Sequence, residues 1–584
     1  MRLPDTMRFL KLHAPAILLG ILVALFMFYP QWRFERELGE QYHGVYFSYS
    51  DSEEYYAVRI AEAYDGQWRL SNPYHAEYKD TPYIQPPLPE LLYATVGKVL
   101  GVDRAEATLY GSRIIFPFIA TLAVYAFAFV FTGSRMRGIL YAALIVLGLN
   151  IILDPKAVIG LFQGKASVTQ GLAYARPVSP QIHSIFLFVY LALFWKWLES
   201  HRDKFLYISS VVLGLSFYTY FFMWSYILAA LGLVYLYSFF RKDFVPRGKL
   251  LLSAGIALVI GVPYFYNLWQ FVHLPQAPIL SFLQGMVMSR RPFFNLTLAI
   301  ALLFFWLVYP KNDTKKKTWV GILLAAGFIA LNQQVVTGRE LHAAHYHWYI
   351  IAPMAGFAAL LAGFYAAERF TSARVVRIGG TLALGLLLWN GYLVQQASYQ
   401  ANFEFYSSEE RYGILFDWLN HNTIKGSVVL TYSQRLSDIL PVYTHNNVLT
   451  STEAQLLDTP EDRLWFNFFL PVYLQGVAAD AALQYFKTHP EYVANMVGGV
   501  ATRLQNSGCR TCFAEEEYQK MSERYQQFLQ EGRFADRYRL DYLVVDRETD
   551  QWRIDFLNRF EVVGTVSEFI IYKKMPLGLS FSIP

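Results

Sequence analysis

Long apolar runs separated by short polar tracts fill the first two thirds of the chain. A bilayer core takes about 20 apolar residues per helix. Eleven runs approach that length: 14–30, 113–132, 138–153, 181–198, 205–222, 225–240, 250–269, 295–309, 318–335, 349–366 and 378–395. The pattern changes after residue 398. Ser427–Thr431 and Asp541–Asp546 are short runs rich in β-branched residues, and Val562–Val566 followed by Phe569–Tyr572 reads as a closing hairpin. Residues 408–420, 461–476 and 515–530 carry helical spacing. The expected architecture is therefore an α-helical polytopic membrane domain over residues 1–398, with a mixed α/β domain over 399–584. The first run follows Arg2, Arg8 and Lys11, as a signal peptide would. Tyr29-Pro30-Gln31-Trp32-Arg33 offers no small-residue cleavage site behind it, so a retained anchor is expected.

Composition sharpens this picture. Apolar residues make up 54% of the chain and charged ones 16%, which excludes a disordered or collagen-like chain. Two cysteines in 584 residues exclude a disulfide scaffold. The charges are placed unevenly. Tracts 1–13, 133–137, 196–204, 241–249, 310–317 and 368–377 hold 19 Lys+Arg, whereas the alternate short connections 154–180, 270–292 and 333–348 hold 6. The positive-inside rule puts the first set, with the N-terminus, in the cytoplasm. The segment 31–112 and the C-terminal domain then face outward, in a multi-pass protein of the cytoplasmic membrane. Basic charge in tracts between apolar runs reads as topology, not as a nucleic-acid surface.

The outward segment 31–112 is 82 residues long, too long for a plain connector. Within it Asp51, Glu53 and Glu54 lead into a helical pattern with Tyr55, Val58 and Ala61–Glu62 at three-to-four spacing. Two readings fit: acidic residues capping a helix N-terminus, or a carboxylate aimed at a membrane-level cleft as general base or metal ligand. Further on, Gln85-Pro86-Pro87-Leu88-Pro89 fixes the backbone ahead of a short amphipathic helix.

An Asp-acidic-x-x-Tyr segment after the first span, then a Pro-Pro-Leu turn into a loop helix, resembles the GT-C superfamily of polyprenyl-phosphate-sugar-dependent glycosyltransferases. The aminoarabinose transferase and protein O-mannosyltransferase families are the branches it is most similar to. A second segment, Asn332 to Pro353 with Arg339, His345 and Tyr346, resembles the outward loop that enters a late helix in that superfamily. The resemblance implies an inverting glycosyltransferase. It implies Asp51 as the catalytic carboxylate, a polyprenyl-phosphate sugar as donor, and a glycan, lipid or protein as acceptor. The oligosaccharyltransferase branch carries a Trp-Trp-Asp motif, and this chain has no Trp-Trp pair.

Transfer at the outer face needs cations to hold a departing phosphate. The outward candidates are Lys156, Lys165, Arg176, Arg290, Arg291 and Arg339. Arg pairs with phosphate bidentately, so Arg176, Arg291 and Arg339 rank first. The donor phosphate is expected between the first loop and Arg339, with Arg176 or Arg291 nearby. Glu53, Tyr55, Arg59, Gln85, Lys156, His345 and Tyr346 complete the expected substrate contacts. No cofactor is assigned. A divalent cation (Mg or Mn) would use Asp51, Glu53 and Asp154, although Asp154-Pro155-Lys156 lacks a second carboxylate close by. His342, His345 and His347 lack clean metal spacing. Cys509 and Cys512 fit a local disulfide, free thiols or a redox pair. A lipid-linked glycan transporter and a non-catalytic glycan-binding relative are the alternative functions.

Overall fold

The computed structural model describes residues 5–49, 53–166, 168–241, 245–498, 508–532, 534–550 and 554–575. Each predicted span falls on helix. The first half carries α1 (Asp5–Leu38), α2 (Glu53–Tyr64), α3 (Leu88–Leu100), α4 (Arg104–Tyr110), α5 (Phe116–Thr132), α6 (Arg135–Leu147), α7 (Gln181–Ser200), α8 (Asp203–Ser216), α9 (Phe221–Phe240) and α10 (Arg247–Val272). Then follow α11 (Ala277–Leu283), α12 (Leu296–Val308), α13 (Thr314–Leu331), α14 (Ala352–Phe370) and α15 (Ala373–Glu409).

Seven helical stretches are long and apolar enough to cross a membrane: Leu10–Gln41, Arg104–Thr132, Gln181–Ser200, Phe221–Phe240, Arg247–Val272, Ala343–Phe370 and Ala373–Glu409. The other four predicted spans lie on α6, α8, α12 and α13. The span expected at 138–153 is divided at Gly148, which leaves the helical conformation between α6 and a short helix, Leu149–Leu153. A Cβ at Gly148 would stand 2.6 Å from the Leu387 side chain, so the break also lets α15 approach. The bundle core is close-packed aromatic surface: Phe127 lies 4.7 Å from Phe357 and 5.6 Å from Phe188, and Tyr141 lies 4.9 Å from Phe357. In lipid such van der Waals packing, rather than exclusion of water, holds helices together.

The two sets of connections separated by the charge count lie at opposite ends of the bundle. At one end Arg135 donates to the Leu12 carbonyl at 3.2 Å, Lys249 meets Asp203 at 2.7 Å, and Lys315 donates to the Leu198 carbonyl. The other end gathers 31–112, the three short loops with few Lys and Arg, and the C-terminal domain.

That domain starts as α16 (Arg411–Asn422), α17 (Gln434–Tyr443), α18 (Glu461–Leu474) and α19 (Glu515–Glu531), around a five-stranded sheet. A two-residue ribbon in the membrane domain supplies β1 (Val287–Met288) and β2 (Arg339–Glu340). The sheet strands are β3 (Val428–Thr431), β4 (Asn447–Val448), β5 (Tyr542–Asp546), β6 (Phe560–Val566) and β7 (Phe569–Lys574), in the order β4-β3-β5-β7-β6. β3 pairs parallel with β4 and β5, and β6–β7 is the expected hairpin, bulged between Val562 and Gly564. Cys509 and Cys512 are joined as a disulfide. α15 runs unbroken through residue 398 to Glu409.

The C-terminal domain shares a core with the first loop. Tyr55, Ala57 and Val58 of α2 and Ala105 and Leu109 of α4 pack in one buried cluster with Phe416, Leu440, Val448 and Ile571. Loop and domain therefore form one packed unit over the end of the bundle.

Candidate active site

A cavity of about 560 Å³ opens where the first loop, the loop after residue 153, the late membrane helix and the C-terminal domain meet. Its polar lining includes Tyr49, Glu53, Asp154, Arg176, Tyr349 and Glu453, and its apolar lining includes Leu153, Val394 and Leu456. Asp51 lies outside the described residues; in sequence it stands between Tyr49 and Glu53, both of which line the cavity.

Glu53 opens α2 and is fully buried. One carboxylate oxygen accepts from the Tyr49 backbone N–H at 3.0 Å, and the other meets Arg113 at 2.7 Å. Arg113 also donates to the Ala175 and Phe47 carbonyls and lies over the Tyr49 ring at 4.2 Å. Both charges are buried, and the further hydrogen bonds to the Ala175 and Phe47 carbonyls offset that burial, while Arg113 Nε is buried with no hydrogen-bond partner among the described residues. Arg113 is presented by a π-helical turn, Gly111–Ile115, between α4 and α5. A second such turn, His347–Ile351, precedes α14 and carries Tyr349. Two wide turns in membrane helices thus place two site side chains, and π-turns concentrate at functional sites.

Arg176 is the central cation. Its guanidinium reaches the Tyr349 hydroxyl at 3.4 Å and lies over the Tyr56 ring at 5.1 Å. Its Nε is buried with no hydrogen-bond partner among the described residues. Beside it His183 stacks on Tyr220 at 3.9 Å, and the Tyr220 hydroxyl meets His345 Nδ1 at 2.6 Å. An unsatisfied buried guanidinium nitrogen costs on the order of 1–3 kcal/mol or more, which an anionic ligand would recover.

Glu54 faces away from Glu53, toward the C-terminal domain, where it meets Arg435 at 2.8 Å. Burial pushes its carboxyl up to about 7, against the pull of Arg435. Glu453 reaches the cavity from a turn in the C-terminal domain. There Asp438 accepts from Ser451 Oγ at 2.6 Å and from the Thr452 N–H at 3.0 Å, and the Ser451 hydroxyl accepts from the Glu453 N–H at 3.1 Å. Sequence reasoning missed Glu453, because nothing in a soluble-domain turn points to a cleft 400 residues earlier in the chain. Arg113 had a usable signal: a charge at the mouth of an apolar span.

The remaining expected contacts are distributed elsewhere. Arg59 is buried and engaged with Glu90 at 2.6 Å and with the carbonyls of Leu70 and Gln85 at 3.0 and 3.1 Å, so it ties α2 to α3 and the loop, and Gln85 serves through its backbone. Tyr55 packs on Tyr56 at 5.5 Å, inside the core shared with the C-terminal domain. The Tyr346 hydroxyl meets Ser225 at 2.8 Å, and Lys156 is exposed. Arg291 and Arg339 line a different cavity together with Arg290, so the expected meeting of Arg339 with Arg176 in one site does not occur. For a divalent ion, both Glu53 oxygens are already engaged. Among the described residues no group of three His, Cys, Asp or Glu side chains has metal-holding geometry. Asp51, the third residue named for such an ion, lies outside the described residues.

A second, apolar groove of about 920 Å³ adjoins the Arg176 cavity. Leu144, Ile152, Ile300, Phe304 and Leu387 line it, Leu153 lines both spaces, and Gly356, Gly363 and Gly379 keep its wall thin.

No family model matches the chain, and no curated protein sequence does. Solved structures resemble it at 14% identity. The ArnT structure from Cupriavidus metallidurans bound to undecaprenyl phosphate aligns over 97% of this chain and 98% of its own, with a TM-score of 0.48. Apo ArnT from the same organism aligns over the same shares at 0.43. The apo Archaeoglobus fulgidus oligosaccharyltransferase aligns over 92% of this chain and 70% of its own at 0.42. Likenesses this distant carry no argument about chemistry. With a helical first loop behind α1, a bundle of long apolar helices and a mixed α/β domain capping one end, the chain has the architecture of an α-helical polytopic membrane protein.

Proposed function

We propose that the chain is an inverting membrane glycosyltransferase. It moves a sugar from a polyprenyl-phosphate donor to an acceptor at the outer face of the cytoplasmic membrane. The observation that carries the reading is Arg176: a half-buried guanidinium whose buried Nε has no partner among the described residues, in a cavity also lined by Glu53, Asp154 and Glu453. The adjoining apolar groove suits a polyprenyl chain whose phosphate sits at the cavity mouth. As the sugar–phosphate bond breaks, negative charge grows on the phosphate, so a fixed guanidinium stabilises the transition state more than the ground state. A carboxylate takes the acceptor's proton. Asp51 is assigned that role, with Glu53 held by Arg113 to support the segment that carries it.

The test is release of free polyprenyl phosphate when purified protein meets polyprenyl-phosphate sugars and a cell-envelope extract as acceptor. Asp51→Asn should abolish release. The amide keeps capping ability, so a helix cap alone would lose less than about 1 kcal/mol of stability and no activity. Wild-type turnover in Asp51→Asn refutes the assignment.

A further inference from the structure

At the same end of the bundle, a cavity of about 1050 Å³ lies between the end of α10, α11 and the β1–β2 ribbon. Arg290, Arg291 and Arg339 line it, with Glu340 as the one carboxylate in the lining. The ribbon is what brings these residues together. Val287 pairs with Glu340 and Met288 with Arg339, and the Ser289 N–H donates to the Gly338 carbonyl at 3.1 Å. Gln334 anchors the Arg291 carbonyl at 2.9 Å. Gly338 takes a left-handed φ of +72°, and a Cβ there would meet the Arg290 guanidinium at 3.1 Å, so glycine is what lets Arg290 close the corner.

The three guanidinium groups are not equivalent. Arg290 holds the carbonyls of Val335 and Val336 at 2.9 and 3.0 Å and is part of the scaffold. The guanidinium groups of Arg291 and Arg339 are exposed, and among the described residues neither has an ion pair or a hydrogen-bond acceptor. Apolar side chains on the same segments are exposed: Met288, in the cavity lining, is 81% exposed, Phe294, next to the lining residue Phe293, 77%, and Val336, whose carbonyl Arg290 holds, 83%. Free cations with exposed apolar side chains on the same segments, between the end of one membrane helix and the start of another, match the depth at which headgroup phosphates lie.

We infer that this cavity is a second anion site, separate from the Arg176 cavity, which binds the phosphate of an anionic membrane lipid through Arg291 and Arg339. Its occupant is a lipid with net negative headgroup charge. The planar guanidinium forks take the phosphate oxygens, and Met288, Phe294 and Val336 meet the proximal acyl chains. The site borders the reaction cavity. α11, which lines the arginine cavity through Ala277, Pro278 and Ser281, is followed by Gln284, which donates to the Leu456 carbonyl at 2.6 Å, and Leu456 lines the Arg176 cavity. The inference does not depend on the transfer reaction.

The test uses full-length protein in neutral detergent, with binding read by native mass spectrometry. The probes are short-chain phosphatidylglycerol, short-chain phosphatidylcholine and inorganic phosphate. Wild-type protein should retain phosphatidylglycerol at least fivefold better than phosphatidylcholine, and added salt should weaken that retention. Arg291→Gln with Arg339→Gln should lower it at least fivefold without changing the melting temperature. Glu340→Gln removes the one opposing charge and should raise retention about twofold, a gain that misfolding cannot mimic. Equal retention in wild type and the double variant overturns the site. Competition by inorganic phosphate as strong as by the lipid overturns the lipid as occupant.

Discussion

Arg435 of the C-terminal domain and Glu54 of the first loop meet at 2.8 Å, while the same guanidinium grips Glu409 at the end of α15 at 2.9 Å. One side chain thus joins three parts of the chain. Removing Arg435 would leave two carboxylates buried without their cation. Arg435→Met should therefore lower stability by about 2–3 kcal/mol, at the lower end of the cost of breaking a buried charge pair because Arg435 keeps 28% side-chain exposure. Glu54→Gln, which retains a hydrogen-bond acceptor, should cost less. Thermal unfolding of the two variants checks the order.

Arg176 and Arg339 offer a direct contrast. Arg176→Lys keeps the charge and loses the planar fork, and turnover should fall at least tenfold, about 1.4 kcal/mol of barrier. Arg339→Lys, in the other cavity, should leave turnover of a water-soluble model acceptor within about twofold, well under 1 kcal/mol. Normal turnover in Arg176→Lys would remove Arg176 from the leaving-group site.

Glu410 gives a pH signature. Its carboxylate accepts from the backbone N–H groups of His43 at 2.5 Å and Val45 at 3.4 Å, and its second oxygen is buried without an acceptor or donor among the described residues. Burial pushes its carboxyl up to about 7 from 4.5. Between those values the folded state holds a proton that the unfolded state has released, so stability falls as pH rises through this window and the full penalty stands above about 7. Glu54 acts in the same direction. Glu410→Gln should flatten the fall in melting temperature between pH 4.5 and 7 by roughly half, read by thermal unfolding across that range.

The bundle was legible because lipid leaves few choices: apolar length and Lys+Arg placement determine spans and ends, and each predicted span lies on helix. The strands of the C-terminal domain were legible for a similar reason, since β3 and β5 are buried on both faces and read as continuous apolar runs. The site was legible only in part. Residue type and proximity to the first span marked Glu53, and the scarcity of outward cations marked Arg176. Sequence could not say which cations share a cavity, because that depends on the β1–β2 ribbon, whose two-residue strands leave no periodicity. It also read Arg59 as a substrate contact, where burial against Glu90 makes it a strut.

Glu453 tests whether the C-terminal domain takes part in the chemistry or only covers it. The turn that carries Glu453 is pinned by Asp438, so its approach to the cavity is fixed by the domain's own packing. A carboxylate facing the same space as Arg176 can orient a sugar hydroxyl or share the acceptor's proton, and either role weakens when the charge is removed. Glu453→Gln should reduce kcat/KM about tenfold, near 1.4 kcal/mol, with the melting temperature unchanged. Asp438→Ala should reduce it as well, by freeing the turn while leaving Glu453 in place. The two variants differ in how they fail: Glu453→Gln alters the charge at a fixed position and should act mainly on kcat, whereas a freed turn also raises KM. If Glu453→Gln and Glu453→Ala both turn over as the wild type does, the domain contributes only a wall to the cavity, and the reacting groups all come from the membrane domain and its first loop.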